Sequence, residues 1–185
     1  MMIPQPLITS ERLTLHTLRP EQADILSHYL LQNRQHLAPW EPIREDKYFD
    51  IAQCEGRLHQ QLQQMEAGSG LFLALMLNND MIGSCNFTNI IRGVFQACHL
   101  GYSIAQTYQG HGYMTEALHA AIQYMFQEEK LHRIMANYLP ENSRSAQVLG
   151  SLGFEKEGYA KAFLKINGQW RDHVLTALIN PATPD

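Results

Sequence analysis

Residues 108–117 read YQGHGYMTEA, two glycines around a histidine with a helix-forming run directly behind them. The segment ahead of it, VFQACHLGYSI at 94–104, reads as a strand, and Met114 to about Glu129 reads as a helix. The glycines therefore stand where a strand turns into a helix. Backbone N–H groups at a helix start have no internal partner, and the helix dipole favours negative charge there. Gly110 and Gly112 let the chain turn tightly and approach a ligand with no Cβ in the way. A phosphate or pyrophosphate suits such a loop.

Which phosphate compound it suits is a question of spacing. A P-loop needs a lysine after its second glycine, and none follows here. A dinucleotide fingerprint needs a third glycine, a place after the first strand and an acid further on. This loop has only G-x-G and comes late in the chain. Coenzyme A is the remaining phosphate-bearing option, beside a tight turn that holds no ligand.

Outward from the loop, the chain reads as strand, two helices, three strands, helix, strand, helix, two strands. ITSERLTLHTL at 8–18 is the first strand, and Arg19-Pro20-Glu21 opens a helix carrying Ala23, Leu26 and Leu30 at helical spacing. APWEP at 38–42 ends that piece, and a second helix runs from about Tyr48 to Ala67. LFLALML (71–77) and MIGSCNF (81–87) are strands joined by Asn78-Asn79-Asp80. HRIMANYL (132–139) is a strand, Asn142 starts a helix that Gly153 ends, and Asn167-Gly168 turns a closing hairpin. This is a mixed α/β domain without the steady alternation of a doubly wound nucleotide fold.

Bulk properties bound the remaining possibilities. A chain of 185 residues suits one domain, spanning 1–185. The formal net charge of −4 argues against a non-specific nucleic-acid binder and leaves room for a basic polypeptide partner. Cys54, Cys85 and Cys98 form no C-x-x-C pair and read as buried, reduced thiols of a cytoplasmic protein. No leader and no membrane-length apolar run is present in the sequence. Nine histidines give neither H-E-x-x-H nor a Cys/His cluster, so no metal is expected, and there is no G-x-S-x-G elbow.

Gln109-Gly110-His111-Gly112-Tyr113-Met114 resembles the acetyl-CoA loop of the GNAT acyltransferases, [QR]-x-x-G-x-[GA]. Gln109 and Gly112 match, while Met114 departs from the usual Gly or Ala, so its side chain must point away from the pyrophosphate. The resemblance runs from Leu7 to about Leu178. It is most specific in HLGYSI (99–104), HRIMANYLPENSRSAQVLGSLGFEKEGYAK (132–161), NGQWRDHVLTAL (167–178) and PWEP (39–42), which are similar to the RimJ type. That type acetylates the N-terminal alanine of a small-subunit ribosomal protein. The resemblance implies the GNAT acyl-CoA N-acyltransferase fold: a mixed, mostly antiparallel central sheet flanked by helices, with splayed central strands. It also implies acetyl-CoA as co-substrate, and a ribosomal protein N-terminus as acceptor. Neither a membrane nor direct nucleic-acid contact is expected, and the protein is expected as a monomer or homodimer.

The same resemblance places a pantetheine arm against the backbone near Ser103 and Ile104, like an added strand. The cofactor shell then comprises those two residues, Gln109, Gly110, His111, Gly112, Tyr113, Met114 and Thr115, with Asn142 and Ser145 from the late helix. Locally Asn142 is a good helix N-cap and Ser145 an ordinary surface serine. By resemblance Asn142 bonds pantetheine amides and Ser145 lies near the thioester sulfur as general acid. A thiol of pKa roughly 8.5 leaves more readily with a hydroxyl donor beside it.

Two residues are candidates for the base. Glu41 lies in the PWEP loop, in the half that shapes the acceptor site of related proteins, and is otherwise a solvated acid. His99 lies on the central strand where many related sequences carry an acid, and is otherwise structural. The glutamate that some related enzymes carry on the late strand is missing among Ala162, Phe163 and Leu164. Trp40, Tyr102 and Trp170 either line an acceptor groove or pack in loops and core. An acetyltransferase acting on a small amine, and a non-catalytic acyl-CoA-binding module, are the rival readings.

Overall fold

The computed structural model describes residues 6–182. Along the chain it contains β1 (Ile8–Thr9), β2 (Thr14–His16), α1 (Ala23–Leu37), α2 (Ile51–Glu66), β3 (Gly70–Leu77), β4 (Asp80–Ile91) and β5 (Ala97–Ile104). These are followed by α3 (Tyr113–Gln127), β6 (Arg133–Tyr138), α4 (Ser143–Ser151), β7 (Glu155–Ile166) and β8 (Gln169–Ile179). The strands form one sheet in the order β1-β2-β3-β4-β5-β6-β8-β7. Every neighbouring pair is antiparallel except β5 and β6. Those two are parallel because α3 carries the chain from the end of one to the start of the other. The result is the mixed, mostly antiparallel sheet flanked by helices that the family resemblance implied.

Several boundaries differ from the sequence expectation. The single strand expected over 8–18 is two short ones. The Ser10 N–H and the Ser10 hydroxyl both reach the Leu13 carbonyl, at 2.9 and 3.2 Å, and fold the segment back so that Ile8 faces Leu15. Helix α2 starts at Ile51 rather than Tyr48. Residues Asp46–Phe49 instead make a 3-10 turn whose Phe49 carbonyl accepts the Ser27 hydroxyl at 2.6 Å. Strand β4 runs on to Ile91, and β5 begins at Ala97 rather than at 94.

The pairing of β5 with β6 covers only Ala97–Leu100 against Arg133–Ala136. Beyond that the strands part, although each keeps its outer partner. Ser103 stays opposite Ser84 on β4, and Asn137 and Tyr138 stay opposite Leu175 and Val174 on β8. One core packs α3 and α4 on the sheet through Leu73, Phe87, Leu100, Leu118, Met125 and Ile134. A second packs α1 and α2 on the other face through Tyr29, Leu30, Leu58, Ala74 and Met76. Strand β3 feeds both cores, which is why its sequence is an unbroken apolar run. The three cysteines are buried and free, and burial pushes the Cys85 and Cys98 thiols up to about 12.

Two local signals read from the sequence set the ends of the site. Helix α4 closes with the Phe154 N–H on the Leu149 carbonyl (3.0 Å) and the Gly153 N–H on the Gly150 carbonyl (3.1 Å), with Gly153 at φ 86°. Asn167 and Gly168, at φ 44° and 78°, make the two-residue β7–β8 turn. The Asn167 N–H then donates to the Glu41 carbonyl at 2.8 Å and ties that hairpin to the loop after α1. Gly153→Ala forces a side chain into the left-handed region. It is expected to cost about 1 kcal/mol of stability, read from the midpoint of denaturant unfolding.

Candidate active site

A cavity of about 1200 Å³ lies at the parting of β5 and β6. It is lined by Glu41, Ser103, Ile104, Gln109, Gly110, Gly112, Tyr113, Met114, Thr115, Asn142 and Ser145, so residues far apart in the sequence meet there. His111 and His99 are not among its lining residues. The His111 ring stacks on Tyr113, with centroids 5.7 Å apart and planes at 18°. His99 sits on β5 between Thr88 and Met135, its buried Nδ1 without a hydrogen-bond partner among the described residues. Burial lowers its pKa, which disfavours the charged imidazolium.

The loop has the geometry of an anion cradle. Gly110 and Gly112 both take φ 78°, a conformation that a side chain resists. A Cβ on Gly110 would meet open space, and one on Gly112 would meet only the Arg12 guanidinium at 3.5 Å. The first bond of α3 runs from the Glu116 N–H to the Gly112 carbonyl at 3.0 Å. By helix geometry the N–H groups ahead of it have no intrahelical acceptor. Met114 is 6% exposed, packs into the core under α3 and also lines the cavity. The residues present fit a pyrophosphate held by backbone N–H groups.

Arg12 is the residue that sequence reading missed here. The β1–β2 turn presents it to the start of α3. There its Nε meets Glu116 Oε2 at 2.6 Å, its N–H meets Oε1 at 2.7 Å, and its guanidinium reaches the His111 carbonyl at 3.0 Å. The guanidinium also lies 4.5 Å over the Tyr113 ring. The Ser10 hydroxyl adds a third bond to Glu116 at 2.7 Å. Burial pushes the Glu116 carboxyl up, but these hydrogen bonds and the Arg12 charge together outweigh it and hold it below the usual carboxylate range. More than a hundred positions separate the partners, and no motif spacing signals such a pair. Gln109 is similarly held from outside the loop, by His36 at 3.0 Å and by Arg144.

Across the gap between the strands, Tyr102 on β5 reaches α4. Its hydroxyl lies 2.7 Å from Ser145 Oγ, the closest polar contact of either group. Asn142 caps α4 by accepting the Ser145 N–H at 3.1 Å, which fixes the backbone that carries Ser145. Burial pushes the Tyr102 phenol up to about 12, with the Ser145 hydrogen bond acting the other way. The tyrosine is therefore protonated at neutral pH, and either hydroxyl of the pair can donate.

Glu41 closes the opposite end. Burial raises its pKa, and the charges of Arg44 and Arg57 pull it part of the way back. Near it the Tyr29 hydroxyl bonds Ser103 Oγ at 2.9 Å, and Ser103 Oγ lies 3.2 Å from Ser84 Oγ. Trp40 and Tyr102 line the cavity, whereas Trp170 is 64% exposed and does not. Among the described residues no group of three His, Cys, Asp or Glu is placed to hold a metal, and no helix is long and apolar enough to cross a membrane.

Comparison with known proteins places this arrangement. The acetyltransferase (GNAT) domain model matches residues 12–155. The chain is 46% identical to the ribosomal protein uS5-alanine N-acetyltransferase of Escherichia coli over 181 residues, 97% of this chain and 93% of that protein. The crystal structure of ribosomal-protein-S5-alanine acetyltransferase from Vibrio fischeri superposes with a TM-score of 0.90 at 40% identity, covering 95% of this chain and 98% of that one. Mycobacterium smegmatis RimJ, solved in complex with CoA-disulfide, gives 0.88 at 29% identity over 94% and 84% of the two chains.

The Arg12–Glu116 tie has a pH signature. Because folded Glu116 titrates below its unfolded value, its contribution is complete above the ordinary carboxylate range. It is lost as pH falls through the folded value. Glu116→Gln is expected to destabilise the protein by about 1 kcal/mol at pH 7, and the difference from wild type is expected to shrink below about pH 4. Unfolding midpoints across pH 3–8 check this.

Proposed function

This chain belongs to the GNAT acetyltransferase family, and on that premise we propose that it acetylates the N-terminal α-amine of a ribosomal protein, with alanine as the first residue. The enzyme is an N-acetyltransferase and acetyl-CoA is its co-substrate. The observation that carries the acceptor is the 46% identity over 97% of the chain to an enzyme named for the alanine of ribosomal protein uS5. Such an acceptor sets the reaction in the cytoplasm.

The residues divide the chemistry between two ends of the cavity. Acetyl-CoA supplies a thioester whose carbonyl the amine attacks directly, and no cysteine lines the cavity to form an acyl-enzyme. An α-amine of pKa about 7.7–8.0 is already roughly one-tenth neutral at pH 7, so a modest base suffices. Glu41 is that base, through water. Its raised pKa brings it closer to the working pH than an ordinary carboxylate. His99 is the weaker candidate because it does not line the cavity. At the other end Ser145 donates a hydrogen bond to the departing thiolate. Tyr102 positions it: the two hydroxyls lie 2.7 Å apart, and when the phenol is the donor the serine proton is free for the thiolate. Gln109, Gly110, Gly112, Tyr113, Met114 and Thr115 hold the pyrophosphate through the loop backbone, while Ser103, Ile104 and Asn142 serve the pantetheine arm. His111 contributes backbone only, since its ring turns to Tyr113.

Thiol release from acetyl-CoA, measured with Ala- and Ser-initiated peptides, the same peptides already acetylated, and free amines including spermidine, tests this reading. Release with a free peptide N-terminus and none with the blocked one is the expected outcome. Release with free amines alone would move the acceptor to small molecules, and no release with acetyl-CoA bound would point to a binding module or to an acceptor that must be presented folded. Within the active enzyme, Ser145→Ala is expected to lower kcat about 10–100-fold with acetyl-CoA binding little changed. Tyr102→Phe is expected to lower kcat about tenfold, and the double variant no further than Ser145→Ala.

A further inference from the structure

We propose that Arg12, brought in by the β1–β2 turn, is a positioning residue for the cofactor: it fixes the His111–Gly112 peptide plane so that the Gly112 N–H faces the anion. The inference rests on the glycine loop holding the pyrophosphate, as proposed above, and is independent of the acceptor.

The sequence of the loop leaves this plane undetermined. Gly112 sits at φ 78° and lines the cavity. A glycine accepts φ of either sign, so the peptide ahead of it can rotate and exchange its N–H for its carbonyl at little cost. Only one of those orientations suits an anion, since an inward carbonyl repels it. Arg12 decides between them. Its Nη1 donates to the His111 carbonyl at 3.0 Å. The peptide is planar and trans, so its carbonyl and its N–H point in opposite directions. The Gly112 N–H is therefore turned away from the guanidinium, and it meets no acceptor among the described residues.

The surroundings say why an arginine does this. Its Nε is held on Glu116 Oε2 at 2.6 Å, its guanidinium lies 4.5 Å over the Tyr113 ring, and its Nη2 lies 3.5 Å from where Gly112 would carry a Cβ. The Arg12 N–H on Glu116 Oε1, at 2.7 Å, holds the backbone behind it. A lysine has a single nitrogen and no plane, so it cannot reproduce this stacked fork. Glu116 also balances the charge of Arg12, so the arginine acts through geometry more than through its field.

The test reads CoA binding and needs no acceptor. Wild type, Arg12→Gln and Arg12→Lys are titrated with CoA by calorimetry, and the unfolding midpoint of each is measured. The Gly112 amide is followed through the same titrations in nitrogen–proton NMR spectra. Both variants are expected to weaken CoA binding about tenfold, the worth of one hydrogen bond to a charged group. Arg12→Lys is expected to bind no more than about twofold better than Arg12→Gln. The Gly112 amide proton is expected to move downfield as wild type takes up CoA, and to move much less in saturated Arg12→Gln. A lowered unfolding midpoint with CoA affinity and the Gly112 shift unchanged would make Arg12 merely structural and overturn the proposal. Full affinity in Arg12→Lys would overturn it too, because charge alone would then suffice. If Arg12→Gln does not fold, Arg12→Lys decides by the same two readouts. A Gly112 resonance indifferent to CoA in wild type would overturn the loop reading as well, whereas one that moves equally in wild type and variants would leave the loop reading standing and remove only the role of Arg12.

Discussion

The parting of β5 from β6 beyond Leu100 and Ala136 is the constraint from which the site follows. Two parallel strands joined through a helix ordinarily stay paired along their length. Here each is held more firmly on its outer side, β5 by β4 up to Ile104 and β6 by β8 up to Tyr138. The inner edges therefore separate and leave backbone groups without a strand partner. Such groups cost free energy when dry and empty, and they pair readily with an extended amide chain. A pantetheine arm is such a chain. On the proposed reading, the gap that weakens the sheet at this point is also a template for the cofactor.

Around that gap the site is held by ties between distant parts of the chain. Arg12 and Ser10 fasten the β1–β2 turn to Glu116 at the start of α3. Tyr102 spans the gap to Ser145, and Asn167 fastens the β7–β8 hairpin to the backbone of Glu41. Two carboxylates in the same cavity are driven in opposite directions by these surroundings. Glu116 is surrounded by donors that favour its charge, so it stays ionised and structural. Glu41 has cations nearby but receives less from them than burial takes, so its proton affinity rises. The difference between the anchor and the proposed base is here a count of close donors.

The two faces of the sheet also divide the work. The α3 and α4 face carries the anion cradle and Ser145, while the α1 and α2 face carries Glu41, Tyr29 and Arg57. Ser103, at the end of β5, touches both.

What the sequence determined by itself was local. The left-handed glycines of the loop, the Asn142 cap, the Gly153 terminus and the Asn167-Gly168 turn are settled by backbone preferences over a few residues, and each was legible. The apolar runs gave most strands and helices for the same reason, and the matching motif blocks gave the family. Tertiary structure alone decided which of those pieces touch. It brought Arg12 to Glu116. It also left His99 off the cavity lining while the hairpin tied down the loop of Glu41. The Arg12–Glu116 and Asn167–Glu41 contacts join residues more than a hundred positions apart. No local preference encodes them, because their energies exist only once the sheet has set the distances.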